Sequence, residues 1–274
     1  MNLVIRNRNE KIVSVMSIII AVLSAYSAIL GFVDDGLYGG IIATGAFRPA
    51  FMGGTVAQDI ITIASSIIVI VLSAIYVKKK DGRILISTIG LLSYYFYAYG
   101  TYVLLAFYTS VYFVYMIIFS LSIFGMILGV SGFAKKDING LALPKWIRIS
   151  GAFLLSVIIC VFAPMWAIAM IPYIQSNTVP DYYAIYILDL CIVLPFYVIT
   201  VYMLVKNHKL SYVFLGIALL KLVTLLISVA LGELYVPVVH GADADIVMTA
   251  IYSVIVVISL FLFVFYCLKL KQLN

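Results

Sequence analysis

Eight apolar segments, each longer than 20 residues, run through this 274-residue sequence. A helix needs about 20 apolar residues to cross the hydrocarbon core of a bilayer. Inside lipid the backbone N–H and C=O groups find no water, so a spanning segment must pair them within a helix. The sequence therefore predicts an all-α integral membrane protein with eight transmembrane helices. These segments, numbered spans one to eight, are Ile12–Val33, Ala57–Val77, Ile84–Tyr108, Val111–Ala134, Ile149–Pro172, Tyr182–Val205, Leu210–Gly232 and Asp245–Leu268.

The composition excludes a soluble domain. Hydrophobic residues make up 65% of the chain and charged residues 10%, whereas soluble domains have about 45–50% and ~25%. The lipid bilayer is therefore the expected solvent and partner of the chain. Span one lacks a small-residue cleavage motif at its end, so we expect a retained helix and not a signal peptide.

The basic residues lie almost entirely on one side of the predicted spans. Of the 17 Lys and Arg residues, 15 flank the same ends of the spans, while Arg48 lies in a loop on the other side and Lys221 lies inside span seven. By the positive-inside rule, both termini are expected in the cytoplasm and the protein in the plasma membrane. This asymmetry explains the net charge of +6, so we expect no nucleic-acid partner.

Lys221 is the charged residue that most strongly indicates a functional site. It is the only charged residue of span seven, and a cation in hydrocarbon costs several kcal/mol unless it is partnered or faces water. At about 1.5 Å of rise per residue, Asp189 of span six lies at a depth that the Lys221 ammonium can reach. Spans six and seven are joined by a short loop, so we expect them to be antiparallel neighbours.

Polar side chains recur at helical spacing on four spans. Lys221, Thr224 and Ser228 are spaced i, i+3 and i+7 on span seven, and Asp59 begins a similar stripe on span two. Residues at this spacing share one face of a helix. We therefore predict a polar cavity that opens to the outside between spans two, three, six and seven. Its candidate residues are Asp189, Lys221, Asp59, Tyr94, Tyr97, Thr224, Ser228 and Tyr186.

Simpler interpretations fit the same residues. Ser and Thr side chains often bond to a carbonyl of their own helix, so the stripes also fit ordinary helix packing. An Asp189–Lys221 pair also fits a purely structural role, in which it orients two helices. Asp59 lies near the outer end of span two, where a carboxylate also fits a solvated helix N-terminus.

The inner loop 135–148 divides the single transmembrane domain 1–274 into halves 1–134 and 149–274. The second span of each half carries an aspartate, Asp59 or Asp189, upstream of a basic cap. These parallels predict a 4+4 parallel pseudo-repeat, related by an axis along the membrane normal. Any two four-helix units with basic inner loops share part of this pattern, so the similarity also fits coincidence.

The loops and the remaining residues carry no recognisable catalytic motif. The outer loop 34–58 contains Arg48 and many glycines, and it fits either a re-entrant segment or a surface loop. The two histidines, His208 and His240, lie in loops, and no zinc-site, nucleophile-elbow or P-loop motif occurs. We expect no metal and no cofactor.

Short motifs between Ala57 and Leu231 combine the polar residues named above. They are Ala57-Gln58-Asp59, Gly82-Arg83, the run Gly90…Tyr94-x-x-Tyr97-x-Tyr99, and Leu188-Asp189-Leu190 with Pro195 and Lys221. In these motifs the chain resembles a family of uncharacterised prokaryotic multi-pass membrane proteins. That family has no assigned activity, so the resemblance implies only that these polar positions belong to a shared pattern.

Three functions fit the sequence. The leading hypothesis is a membrane protein that binds or transports a small solute in the outward-facing cavity, coupled or not to protons. The second is a membrane-embedded enzyme that uses the same residues on a lipid or quinone-like substrate. The third is a non-catalytic assembly subunit or sensor. The sequence indicates no oligomeric state.

Overall fold

The computed structural model of the chain describes residues 7–43, 52–240 and 245–272. Two strands of two residues each, β1 (Leu141–Ala142) and β2 (Lys271–Gln272), pair antiparallel. Almost everything else is helical. The helices are α1 (Glu10–Val33), α2 (Asp35–Ala43), α3 (Met52–Lys79), α4 (Gly82–Leu104), α5 (Tyr112–Gly132), α6 (Lys135–Asn139), α7 (Lys145–Ser176), α8 (Tyr183–Leu188), α9 (Leu194–Val205), α10 (Leu210–His240) and α11 (Ile246–Lys269), with a π-helical turn (Asp189–Val193) that joins α8 to α9.

The prediction of an all-α, multi-pass membrane protein is confirmed. Within the described residues, seven helices are long and apolar enough to cross a membrane, and α8, the π-helical turn and α9 together count as one of them. The eighth long helix, α4, has 23 residues but is less apolar, because five of its residues are tyrosines. These tyrosines do not face lipid, since all five are buried among other helices.

Several helices extend beyond the predicted spans. Helix α3 begins at Met52, five residues before the predicted start of span two, and α10 continues to His240 instead of ending at Gly232. Part of the predicted outer loop 34–58 is the short helix α2. The predicted outer-loop residue Arg48 lies outside the described residues.

The basic loops meet at one end of the bundle, which we call the basic end. There Lys80 Nζ lies 2.5 Å from Glu10 Oε1, joining the end of α3 to the start of α1. The guanidinium of Arg83 donates a 3.0 Å hydrogen bond to the carbonyl of Cys267, joining α4 to α11. The β1–β2 pair ties the loop after α6 to the segment after α11 at the same end.

Helices α4 and α10 form the centre of the bundle. Helix α4 packs against α3, α5, α8 and α10, and α10 packs against α3, α4, α9 and α11. A Cβ on Gly90 would lie 3.1 Å from Leu220 Cβ, so this glycine lets the two central helices approach closely. Because neighbouring helices shield them from lipid, these two helices can carry Lys221 and half of the buried tyrosines among the described residues.

The same helix pairs touch in the two halves of the chain. In the first half (α1, α3, α4 and α5), α1 packs on α3 and α5, and α4 packs on the same two helices. In the second half (α7, α8–α9, α10 and α11), α7 packs on α9 and α11, and α10 packs on the same two. Between the halves, α4 meets α10, while α3 meets α10 and α8 meets α4.

Candidate functional site

A cavity of about 460 Å³ lies in the part of the bundle away from the basic end. It is lined by α3, α4, α7, α8, α10 and α11, which include all four spans predicted to form it. Its rim contains Gly54, at the start of α3, and Tyr182, just before α8. Both residues are exposed among the described residues, so the cavity reaches the surface at the end opposite to the basic end.

Asp189 lies on the cavity wall, where its helix changes from α to π geometry. The indole N–H of Trp166 donates a 2.9 Å hydrogen bond to Asp189 Oδ2. The backbone N–H of Leu194 donates its hydrogen bond to the carbonyl of Asp189, five residues earlier. In a regular α-helix it would donate to the carbonyl four residues earlier. Pro195 follows at once and has no N–H to donate, which interrupts the normal helix ladder at this place. Single π turns of this kind are frequent at functional sites.

Lys221 is 3% exposed and lies near Asp189 without forming an ion pair with it. Among the described residues, its Nζ has no hydrogen-bond partner. The ammonium instead faces two aromatic rings, with centroids at 4.5 Å for Tyr97 and 5.8 Å for Tyr197. Its charge acts on the Asp189 carboxylate through space. Tyr97 connects the three features, because it contacts Lys221, interacts with Asp189 and lines the cavity.

The remaining wall is mainly apolar and aromatic, and it carries a second carboxylate. Trp166 packs against Tyr186 with ring centroids 5.2 Å apart, and Phe162 lies 6.1 Å from Trp166. Glu233 of α10 lies near the rim. Within the described residues, neither lysine nor arginine lines this cavity. Its eight aromatic lining residues are Tyr97, Tyr102, Phe107, Phe162, Trp166, Tyr182, Tyr186 and Tyr252.

The structure places half of the predicted site residues on the cavity wall. They are Asp189, Tyr97, Tyr186 and Ser228. Lys221 lies behind the wall and contacts Tyr97. The Thr224 hydroxyl donates a 2.9 Å hydrogen bond to the carbonyl of Leu220, the local bonding that the simpler interpretation expects. Asp59 and Tyr94 lie in a separate cluster.

This separate cluster surrounds Asp59 in the first half. Asp59 is 2% exposed, and the hydroxyl of Tyr38 on α2 donates a 2.7 Å hydrogen bond to its Oδ2. Gly31 is required there, because a Cβ on it would overlap Asp59 Oδ2 and lie 2.6 Å from the Tyr38 hydroxyl. The alternative of a solvated helix N-terminus at Asp59 is therefore wrong. Helix α3 starts seven residues earlier, and α2 supplies the side chain that caps the carboxylate.

Tyr94 of α4 belongs to the Asp59 cluster and forms hydrogen bonds to α3. Its hydroxyl donates a 3.0 Å hydrogen bond to the carbonyl of Gln58 and lies 2.9 Å from the hydroxyl of Thr62. These bonds tie α4 to α3 and leave Tyr94 completely buried. Tyr94 is therefore held by packing and hydrogen bonds instead of lining the cavity.

Sequence reasoning missed the contribution of α7. Phe162 and Trp166 are spaced i, i+4 and so share one helix face, which was the available signal. The predicted span seven ends at Gly232, but α10 continues past it and carries Glu233 on the cavity rim.

The described residues include no group of three or more His, Cys, Asp or Glu side chains that could hold a metal ion. Asp245, the first residue of predicted span eight, caps α11 by accepting a 2.9 Å hydrogen bond from the backbone N–H of Met248. Comparison with known protein families, with curated proteins and with solved structures finds no match to this chain. The resemblance to a family of uncharacterised prokaryotic membrane proteins thus stays a prediction.

Proposed function

We propose that the protein crosses the plasma membrane eight times, with its basic end and both termini in the cytoplasm. Helix α4 is the eighth span in addition to the seven apolar helices. Support comes from its 23-residue length and from its position between α3, α5, α8 and α10. The concentration of Lys and Arg at one end supports this orientation through the positive-inside rule. The cavity then opens to the outside.

We also propose that the two halves are a 4+4 parallel pseudo-repeat. The identical pattern of helix neighbours in the two halves supports it, as does the symmetric contact between the two third spans, α4 and α10. In such a repeat Asp59 and Asp189 occupy corresponding second spans.

The function that the geometry supports best is the binding of a small solute from the outside, as a step in its transport across the membrane. One observation carries this proposal: a cavity of about 460 Å³, open at one end, exposes the Asp189 carboxylate on a wall of mainly apolar and aromatic residues. Ligand sites of small molecules have this size range and this combination of apolar walls with few polar groups. The irregular backbone at Asp189 also borders a cavity, which is where membrane helices tolerate it.

Lys221 is the proposed coupling group. Its ammonium is near Asp189, yet no hydrogen bond fixes it among the described residues. A proton or a solute charge that binds at Asp189 changes the electrostatic energy of this ammonium directly. Binding at the cavity can therefore be linked to the packing of α10, the central helix that carries Lys221.

The test fills the cavity with a larger side chain and measures whether solute binding is lost. Wild-type protein in detergent is screened by thermal shift against small cationic, anionic and neutral solutes. Val229 lies on the cavity wall, so Val229→Trp should abolish the stabilisation by any solute that binds there. Val247 on α11 is 68% exposed, so Val247→Trp is the matched control and should keep it. Solutes that stabilise the wild-type and Val247→Trp proteins but not Val229→Trp are then tested for uptake into proteoliposomes.

The result distinguishes the three functions. Stabilisation sensitive to Val229→Trp, together with uptake, supports transport. The same binding with chemical conversion of a lipid or quinone-like compound supports the membrane enzyme. If no solute stabilises the wild-type protein, the solute-binding proposal is overturned and an assembly subunit or sensor is favoured.

A further inference from the structure

We infer that the solute bound in the cavity is a small organic ammonium ion, held by the Asp189 carboxylate and by the aromatic rings around it. The inference rests on the proposed function, because it names the class of solute for the same cavity. It is carried by three features of the described residues, namely the balance of charge, the arrangement of rings, and the shape and size of the space.

The charge around the cavity is negative. Asp189 and Glu233 line it, and the Asp245 carboxylate acts on Glu233 from the start of α11. Among the described residues, the lysine nearest to the cavity is Lys221. It lies behind Tyr97 and does not line the wall. Two carboxylates therefore line the cavity and a third lies beside one of them, whereas the one lysine lies behind the wall. An anion entering the cavity would meet repulsion, whereas a monovalent cation would offset part of the excess.

The rings supply a surface that suits a cation without a hydration shell. An ammonium group over an aromatic face is attracted by the ring quadrupole, most strongly over tryptophan and after desolvation. Trp166 donates its N–H to Asp189 and packs near Phe162 and Tyr186, which places a carboxylate beside an aromatic corner. Tyr102 of α4 stacks on Phe107, in the segment after this helix, with centroids 4.9 Å apart, and the two rings form another aromatic part of the wall.

The side-chain nitrogen of Lys221 is an example of an amine placed over aromatic rings beside this cavity. This Nζ is 4.5 Å from the ring centroid of Tyr97 and 5.8 Å from that of Tyr197. The same tyrosine, Tyr97, is part of the cavity wall. A soluble ammonium on the cavity side would share Tyr97 and Asp189 with the Lys221 ammonium behind it.

The size and polarity of the cavity further restrict which class of cation it can bind. Bare inorganic cations prefer several oxygen ligands, and the described residues hold no group of acidic side chains suited to a metal. A volume of about 460 Å³ suits an organic ion. Methylated or alkyl ammonium groups match walls that combine carboxylate with rings.

The experiment uses Trp166 as an internal reporter. The chain has two tryptophans, Trp146 and Trp166, and Trp146 packs on Phe265 at the basic end. The Trp146→Phe protein therefore has one tryptophan, in the cavity wall. Its fluorescence is titrated with choline, with 3,3-dimethyl-1-butanol, which replaces the charged nitrogen by carbon, and with 3,3-dimethylbutanoate as an anion of similar shape. Thermal shift is measured in parallel on the wild-type protein.

Choline should change the Trp166 emission saturably and raise the melting temperature. The neutral isostere should bind at least about tenfold more weakly and the anion not at all, since cation–π and charge-assisted contacts are lost. Asp189→Asn in the same background should weaken choline binding by about tenfold or more. Asp34→Asn is the control, because Asp34 lies outside the cavity and Asn can still accept the hydrogen bond from Gly36.

Equal binding of the isostere, or choline binding unchanged by Asp189→Asn, would overturn the inference. A lack of choline binding would do the same. The proposed function fails separately. If a neutral or anionic solute stabilises the protein in a manner that Val229→Trp abolishes, the cavity is a binding site and only the ammonium class is wrong.

Discussion

Asp59 on α3 in the first half and Asp189, directly after α8 in the second half, are two carboxylates of the helix bundle with opposite environments. Asp59 is 2% exposed and is capped by Tyr38. Asp189 is half-buried and faces the cavity, with Trp166 as its hydrogen-bond donor. The same pattern of helix neighbours therefore surrounds one closed carboxylate and one open carboxylate. Helix packing alone does not decide which carboxylate a solute can reach.

The connections between helices make the difference. In the first half, α2 lies between α1 and α3 and brings Tyr38 onto Asp59. In the second half, the corresponding connection between α7 and α8 contains residues 177–182 and no helix. Its last residue, Tyr182, lies on the rim of the cavity. The short connection leaves the wall around Asp189 uncovered by an element like α2.

Removing the hydrogen-bond donor of each carboxylate tests this difference most strongly. Tyr38→Phe leaves Asp59 buried without its hydrogen bond, and the free energy of unfolding should fall by about 2 kcal/mol. Trp166→Phe removes the donor to Asp189, but water entering the cavity can replace it, so the loss should stay below about 1 kcal/mol. Denaturant-induced unfolding in mixed micelles measures both. Equal losses would show that the two carboxylates are equally enclosed.

Replacing one buried polar residue on each central helix, Tyr94 on α4 or Lys221 on α10, should change the free energy of unfolding by smaller amounts and in different directions. Tyr94→Phe loses the hydrogen bonds to Gln58 and Thr62 and should cost about 1 kcal/mol of unfolding free energy. Lys221→Met removes a buried ammonium that has no hydrogen-bond partner among the described residues. It should leave the unfolding free energy unchanged or slightly higher, because a lone buried charge is the costly state.

The Lys221 result also separates a functional role from a structural one. A structural Asp189–Lys221 pair requires that Lys221→Met and Asp189→Asn each lower the unfolding free energy strongly, and that the double variant recovers part of the loss. Recovery of this kind would contradict the proposed role of Lys221 as a coupling group.

The sequence was sufficient for the features that depend on hydropathy and helix rise. The apolar segments predicted the helices. Counting residues along spans six and seven placed Lys221 near the depth of Asp189, and the structure puts the two within electrostatic range. The spacing of polar residues also indicated α3, α4, α8 and α10 as walls, because facing residues recur at three or four positions along a helix.

The features that depend on contacts between distant segments could not be predicted. Nothing in the sequence of α2 indicates that Tyr38 reaches Asp59, 21 residues away along the chain. The bond from Trp166 to Asp189 likewise depends on how α7 packs. Thr224 has the right spacing for the cavity, but its hydroxyl bonds to its own helix, since a backbone carbonyl is always within reach.

The most direct test of an outward-opening cavity is the reactivity of two introduced cysteines, one on the cavity wall and one inside the helix packing. All three native cysteines, Cys160, Cys191 and Cys267, are replaced by alanine. Single cysteines are then introduced at Val229, which is half-buried on the cavity wall, or at Ser66, which is fully buried near Tyr95. Intact cells are then treated with a membrane-impermeant thiol reagent. We predict that Val229→Cys is labelled from outside, that choline slows the labelling, and that Ser66→Cys is not labelled. An unreactive cysteine at 229 in a folded protein, or labelling of both positions alike, would contradict the cavity.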